Sequence, residues 1–223
     1  MPDRRDQILD AAVAIADERG LAAVSMRSVA ERVGMTPMAL YPYVGSKAAL
    51  LDGMVGRLLG GMWPAGAAPP ADEPVGPGWR DRLAAIGRAG RAIGRQHPWA
   101  ASLVFARPAV SPDSVRAIDL IYTALLEAGV PAADVPRLER LLGTVVFGFA
   151  ASEAGGRFGP AETNPRGTRG LLREGPLPGH AALAGVLSAP ADWDAEFEAD
   201  LADLGEIIEA TARRARGPQR RED

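Results

Sequence analysis

Three helix-start signals lie close together near the N-terminus and restrict this stretch to short helices. Ser25, Thr36 and Ser46 each precede a run whose apolar residues recur at helical spacing. A hydroxyl at that position accepts a hydrogen bond from a free backbone N–H group in the first helical turn. Pro37 suits a first helical position, and Gly34 suits a helix end. We therefore predict a short helix, a tight turn, a second short helix and the start of a longer one.

The rest of the chain also shows the period of α-helices. The apolar residues of the first segment share one helical face: Ile8, Leu9, Ala12, Ile15 and Ala16. Longer helices are predicted further along, at about 79–96, 98–106, 111–128, 134–154, 180–189 and 193–214. No segment alternates apolar and polar residues for long enough to form a strand. The predicted fold class is all-α.

Composition excludes several classes of function. The 223-residue chain has no Cys and two His, His97 and His180, which lie far apart in sequence. Thiol catalysis and Cys- or His-rich metal sites are therefore not expected, and no catalytic or nucleotide-binding motif indicates an enzyme or a cofactor. No apolar run approaches the roughly 20 residues that cross a bilayer, and the N-terminus lacks a signal-peptide core. We expect a cytoplasmic protein without a membrane partner, a metal or a cofactor.

Overall charge does not favour a nucleic-acid partner. The net charge is −3, and residues 1–60 hold seven basic and seven acidic side chains. Binding to DNA must therefore depend on where individual charges lie. Lys47 is the single lysine among 25 basic residues, and it would lie in the first turn of a helix, where a phosphate also meets free N–H groups. The spacings alone fit an ordinary small helical domain as well as a DNA-binding one.

A short helix, a tight turn and a second short helix can place the second helix in the major groove of DNA. In that arrangement the side chains of Met38 and Ala39 suit a thymine methyl group, because both are apolar. Neither can make bidentate hydrogen bonds to guanine. The hydroxyls of Tyr41 and Tyr43 and the ammonium of Lys47 suit phosphate oxygens.

The same stretch resembles the N-terminal DNA-binding segment of TetR-family transcriptional repressors. The resemblance covers about residues 5–60 and is carried by VSMRSVAERVGMTPMALYPYVGSKAALLDGMV. It implies base contacts from Thr36, Pro37, Met38 and Ala39, phosphate contacts from Tyr41, Tyr43 and Lys47, and nearby roles for Arg27 and Ser28. Pro42 departs from the family pattern, and we expect it to end the helix near Tyr41 or to tighten it there into a 3₁₀ turn.

The C-terminal half is similar to the corresponding domain of the tetracycline-repressor branch, on the segments HPWAASLVFARP and LLGTVVFGFAASEAG. This resemblance implies an effector pocket and a homodimer interface built from the helices at about 134–154 and 193–214. Tetracycline–magnesium is rejected as the effector, because Leu103 stands where that branch carries a histidine ligand. Glu153 is expected to be a solvated surface charge. Arg107 is expected to cap a helix C-terminus, with contact to an anionic ligand as the alternative, and His97 is expected to make a structural hydrogen bond.

Four aromatic residues are candidates to line the effector pocket, although for each one taken singly a place in the core is favoured: Phe105, Tyr122, Phe147 and Phe149. The predicted organisation is a helix-turn-helix DNA-binding domain at 1–62, a Pro/Gly-rich linker at 63–78, a larger helical effector-binding and dimerisation domain at 79–216 and a basic tail at 217–223. It predicts a homodimeric repressor that an unknown small-molecule effector releases from a palindromic double-stranded DNA operator. An activator or an effector-independent DNA-binding regulator is the alternative, and an enzyme on a helical scaffold is a rival from another class.

Overall fold

The computed structural model describes residues 3–62, 78–159 and 177–215, and these residues contain helices and no strand. The N-terminal helices are α1 (Arg4–Arg19), α2 (Met26–Arg32), α3 (Pro37–Val44) and α4 (Lys47–Gly60), with a 3₁₀ turn at Leu21–Ala23. The C-terminal helices are α5 (Trp79–Gln96), α6 (Ala100–Ala106), α7 (Pro112–Glu127), α8 (Val135–Ala154), α9 (Pro178–Ser188) and α10 (Trp193–Ala215). The predicted all-α fold is confirmed over these ranges.

Side-chain caps define the start of the short N-terminal helices. Ser25 Oγ accepts a hydrogen bond from the Ser28 backbone N–H at 3.0 Å, and Ser28 Oγ accepts one from the Ser25 N–H at 3.0 Å. Thr36 Oγ1 accepts from the Ala39 N–H at 3.3 Å, and Ser46 caps α4 in the same way at 3.0 Å. Caps of this type stabilise a helix by about 1 kcal/mol each. The three predicted helix starts are confirmed.

A glycine turn joins α2 to α3. Gly34 has a φ of 66°, a left-handed backbone conformation that glycine adopts without steric cost. The Met35 N–H donates to the Ala30 carbonyl at 2.9 Å and closes the end of α2. Val29 of α2 and Leu40 of α3 are both fully buried in one cluster, so the turn brings the two short helices onto a common core.

That first core also includes residues of the C-terminal part. Ile8 and Met54 from the N-terminal helices belong to the same buried cluster as Leu103 of α6 and Phe147 of α8. The two parts of the chain are therefore joined by apolar packing. Since α4 contacts both α1 and α7, it lies between the helix-turn-helix and the C-terminal helices.

A second core holds the C-terminal helices together. Leu125 of α7, Leu138 of α8 and Phe197 of α10 are almost completely buried in it. The helices α5 and α8 pack closely at Gly94, where an added Cβ atom would lie 2.4 Å from the Ala150 Cβ. Glycine at this position permits the close packing that fixes α8 against the bundle.

Two predicted segments, the linker and the basic tail, fall outside the described residues, except for Gly78 at the end of the linker. Pro178–Ser188 is helical, close to the predicted 180–189, and the predicted helix at 98–106 begins at Ala100. Among the described helices, none combines the length and the apolar character required to cross a membrane.

Candidate nucleic-acid interface and ligand cavity

Helix α3 has one buried and one exposed face. Leu40 and Val44, four residues apart, are buried in the first core, with exposures of 0% and 6%. Met38, Tyr41 and Tyr43 are exposed, and Met38 keeps 76% of its surface in solvent. A spacing of four residues places Leu40 and Val44 on the same face of a helix, which agrees with their burial. Met38 and Tyr41 are three residues apart and share the exposed face, whereas Tyr43 points to a different side of the helix.

Pro42 does not end α3, and the prediction that it would was wrong. The helix continues in α conformation to Val44. Pro42 removes the N–H that would donate to the Met38 carbonyl, but the fixed φ of proline fits a helix. Met38 lies on the exposed face, where water can satisfy its carbonyl. The Gly45 N–H donates to the Tyr41 carbonyl at 2.8 Å, and the buried Val44 fixes the last turn.

The segment that contains α3 and the start of α4 carries no acidic residue. Between residues 36 and 51 the only charged side chain is Lys47. Lys47 is exposed and is the first residue of α4, so its ammonium lies beside the free N–H groups at that helix end. The partial positive charge of a helix N-terminus and the ammonium both favour an anion here.

Arg27 and Ser28 differ in whether their side chains are free to contact a phosphate. Arg27 Nε donates to Glu31 at 2.9 Å, but both side chains are strongly exposed, and such pairs contribute little stability. Arg27 can therefore exchange Glu31 for a phosphate. The Ser28 hydroxyl is engaged in the cap of α2 and also donates to the Ala23 carbonyl at 2.8 Å. Its role in this structure is to support the start of α2.

A cavity of about 500 Å³ lies among the end of α4, α5, α6, α7 and α8. This volume is within the range of small-molecule sites. Its lining is mainly apolar: Leu59, Met62, Ile86, Val104, Phe105, Ile118, Leu120, Ile121, Leu142, Val146 and Phe147, with Arg107, Glu139, Arg140 and Thr144 as the main polar members. The rings of Phe105 and Phe147 meet edge to face, with centroids 6.1 Å apart.

Phe105 and Phe147 thus line the cavity, whereas Tyr122 and Phe149 do not. Tyr122 packs against the second core. Phe149 is buried beside Phe197, with ring centroids 4.9 Å apart. For Tyr122 and Phe149 the core alternative fits the structure, and the prediction that they line the pocket is corrected.

Glu153 is half-buried and belongs to an ion-pair network around the buried Arg91, which corrects the expectation of a solvated charge. Arg91 donates to both carboxylate oxygens of Glu153, at 2.8 and 3.0 Å, and its guanidinium lies 4.8 Å from the centroids of both Phe149 and Phe197. The hydrogen bond to Glu153 raises the pKa of Arg91 further above its usual value. The network ties α5 to α8.

Glu139 is the acidic residue of the cavity lining. It is half-buried on α8, and burial raises the pKa of its carboxyl, while the neighbouring Arg140 opposes that shift with a smaller effect. No hydrogen bond or ion pair joins Glu139 to another residue in the part of the chain that the structure describes.

Arg107 links the cavity to α4. Its Nε donates to Asp52 Oδ1 at 2.8 Å, and its Nη2 donates to the Ala48 carbonyl at 3.1 Å. The expected helix C-terminal cap was therefore wrong, because Ala48 lies at the start of α4. Arg107 instead holds the end of α4 that carries Lys47, while its stem lines the cavity.

A second polar contact joins the two parts of the chain. His97 Nδ1 lies 2.7 Å from Asp17 Oδ1 of α1, and Trp99 Nε1 donates to the same oxygen at 2.8 Å. The expected structural hydrogen bond of His97 is confirmed. Its partner was not predicted, since Asp17 lies 80 residues away in sequence.

An exposed short helix with a basic neighbour, supported by a helical domain that contains a cavity, defines a helix-turn-helix regulator. The family model described as "Bacterial regulatory proteins, tetR family" matches residues 8–54. The model described as "Tetracyclin repressor-like, C-terminal domain" matches residues 70–204. The chain belongs to the TetR family of bacterial transcriptional regulators.

Individual relatives agree with this assignment. An HTH-type transcriptional regulator of Saccharopolyspora erythraea is 32% identical over 215 residues, which cover 93% of this chain and 85% of that protein. The HTH-type transcriptional repressor DrrR1 of Streptomyces coeruleorubidus is 34% identical over 148 residues, which cover 66% of this chain and 53% of DrrR1. Apo ActR from Streptomyces coelicolor has the same fold, with a TM-score of 0.74 at 24% identity, covering 95% of this chain and 99% of ActR.

Proposed function

We propose that the protein is a cytoplasmic homodimeric repressor that a small-molecule effector releases from a palindromic DNA operator. The observation that carries this proposal is the position of Arg107. Its stem lines a cavity of about 500 Å³, and its guanidinium holds the first turns of α4 through Asp52 and Ala48. A ligand that displaces Arg107 therefore breaks the contacts that hold the first turns of α4, where Lys47 lies.

The DNA contacts in this proposal come from α3 and its neighbours. Thr36, Pro37, Met38 and Ala39 face base edges, and Met38 contributes an apolar contact that suits a thymine methyl group. Tyr41, Tyr43, Lys47 and Arg27 contact phosphates, which fix the orientation of the helix without reading sequence. Ser28 is left out of this set because its hydroxyl already donates to the Ala23 carbonyl, whereas the Thr36 hydroxyl only accepts a bond in the cap of α3 and can still donate.

The dimer in this proposal forms through α8 and α10. Each helix also carries small or apolar residues outside the two cores. Gly148 of α8 faces open space, and Ile207 of α10 keeps 43% of its surface exposed. A second copy that covers these faces gives two α3 helices, which in helix-turn-helix dimers meet half-sites about one turn of DNA apart.

The cavity favours a ligand-responsive regulator over one that acts without an effector. ActR from Streptomyces coelicolor, which has the same fold, was solved with actinorhodin and with (S)-DNPA. By linkage, an effector that weakens DNA binding must itself be bound more weakly by the DNA-bound protein, by the same factor.

The test is a fluorescence anisotropy titration of DNA from upstream of the gene, repeated over a series of salt concentrations. Each phosphate contact contributes roughly 0.9 to the slope of log K against log salt. Replacing Lys47 with Ala removes one contact per subunit, so the slope should become shallower by about 1.8 in a dimer. Arg137→Ala, which removes an exposed cation of α8, is the matched control and should leave the slope unchanged. No saturable binding at any salt concentration would refute a DNA-binding role.

A further inference from the structure

Within the described ranges of the chain, the polar side chains that line the cavity are already paired, with two exceptions. Arg107 is bonded to Asp52 and to the Ala48 carbonyl. Thr144 Oγ1 donates to the Arg140 carbonyl at 2.7 Å. The exceptions are the guanidinium of Arg140 and the carboxylate of Glu139.

These two exceptions differ in their access to water. Arg140 is exposed, so water can solvate its guanidinium. Glu139 is half-buried, and no hydrogen bond or ion pair compensates it within the described ranges of the chain. A carboxylate that loses water without gaining a partner raises the free energy of the empty protein. A ligand that supplies a charged N–H donor to Glu139 removes that cost, whereas an anionic ligand increases it.

Part of the apolar lining of the cavity lies on α8, the helix that carries Glu139. Glu139, Leu142 and Val146 follow one another along the face of α8 that lines the cavity. Phe105 and Phe147 add two aromatic rings to the lining. A ligand that satisfies all of these groups has a broad apolar or aromatic body and one protonated amine.

We infer that the effector is a lipophilic cation whose protonated amine binds Glu139 and whose apolar body packs against Phe105 and Phe147. This inference rests on the proposed function, because it assumes that the cavity is the effector site. It adds the chemical class of the effector and assigns Glu139 as the residue that selects its charge.

The test compares three probes that share one tricyclic aromatic body: 9-(aminomethyl)anthracene, 9-anthracenemethanol and 9-anthracenecarboxylate. Binding to the full-length protein at neutral pH is followed by anthracene fluorescence and by calorimetry. The amine should bind more tightly than the alcohol by roughly 10-fold or more, and the carboxylate should bind most weakly. In Glu139→Gln the amine should lose this advantage, while the affinity of the alcohol stays within about twofold of the wild-type value.

Two further variants separate a specific contact from general electrostatics. Asp119→Asn removes an exposed negative charge from α7 and should leave the preference for the amine unchanged. Glu139→Asp keeps the charge and should retain part of the preference.

The outcomes distinguish this inference from the proposed function. Equal binding of all three probes, tighter binding of the carboxylate, or an amine preference that survives Glu139→Gln would overturn the role of Glu139 and leave an effector cavity in place. Failure of all three probes to bind would overturn the effector cavity itself, and the inference with it.

Discussion

The ion pair between Arg107 and Asp52 should be a measurable energetic link between the cavity and α4. Replacing Arg107 with Met keeps most of the apolar stem and removes the guanidinium, and Asp52→Asn removes the charge of its partner. The Arg107 Nη2 lies 2.7 Å from Asp52 Oδ1, and the two side chains are only 27% and 21% exposed. The pair is thus neither fully solvated nor fully buried.

The expected magnitude follows from that intermediate burial. Exposed pairs contribute about 0.2–1 kcal/mol, whereas breaking a buried pair costs about 3–5 kcal/mol. We expect a coupling free energy of about 1–2 kcal/mol from the double-mutant cycle. The hydrogen bond to the Ala48 carbonyl is lost in both Arg107→Met and the double variant, so it cancels from the coupling term.

The assay is urea unfolding of the four proteins at one fixed protein concentration, because the stability of a dimer depends on concentration. The matched control is the cycle for Arg27 and Glu31, an exposed pair at 2.9 Å that should couple by no more than about 0.5 kcal/mol. A coupling for Arg107 and Asp52 no larger than that of the control would refute the idea that this contact holds α4.

Three other changes test separate parts of the structure. Gly56→Ala should destabilise the protein by about 1–3 kcal/mol in urea unfolding, because the new Cβ would lie 2.0 Å from Ser111 Oγ, the cap of α7. No loss of stability would mean that α4 and α7 can separate at little cost. Glu139→Gln should stabilise the empty protein at neutral pH, because the fold raises the pKa of this carboxyl and so disfavours its charged form. The gain in stability should shrink as the pH falls towards about 4, where the wild-type carboxyl is also neutral. A gain that is independent of pH would contradict this cause. Gly148→Leu should leave the subunit folded, since open space surrounds this position, yet it should shift sedimentation towards monomer if α8 forms the dimer interface.

Local chemistry made the helix-turn-helix predictable. The hydroxyls of Ser25, Thr36 and Ser46 act within three residues of their own positions, so the sequence alone carries the signal. The buried positions Leu40 and Val44 followed from a spacing of four residues. Predictions of this kind depend on few neighbours, and the structure confirms them.

The errors arose where distant residues decide the outcome. Pro42 disfavours helix locally, but the packing of Val44 and the capping of the last turn outweigh that preference. Glu153 is half-buried and pairs with Arg91, which lies 62 residues earlier in sequence. Sequence analysis singled out neither Asp52 nor Glu139 as a functional residue. For Glu139 a signal was present, since its charge lies one turn before Leu142 and two turns before Val146 along α8.

Helical spacing alone also does not determine which aromatic residues line the cavity. Phe147 and Phe149 are two residues apart on α8, so they point to different sides of the helix. Phe147 reaches the cavity, whereas Phe149 packs beside Phe197. Both sides of α8 are apolar, and only the positions of α6 and α10 decide which side borders the cavity.

The most direct test of the account is selection of binding sites from a pool of random DNA duplexes by the full-length protein, followed by sequencing. An exposed α3 on each subunit of a dimer predicts enrichment of an inverted repeat whose half-site centres lie about 10 base pairs apart. Alanine replacement of Met38 should relax the preference at one position of each half-site. Enrichment of a single unrepeated site, or of no sequence at all, would contradict the account.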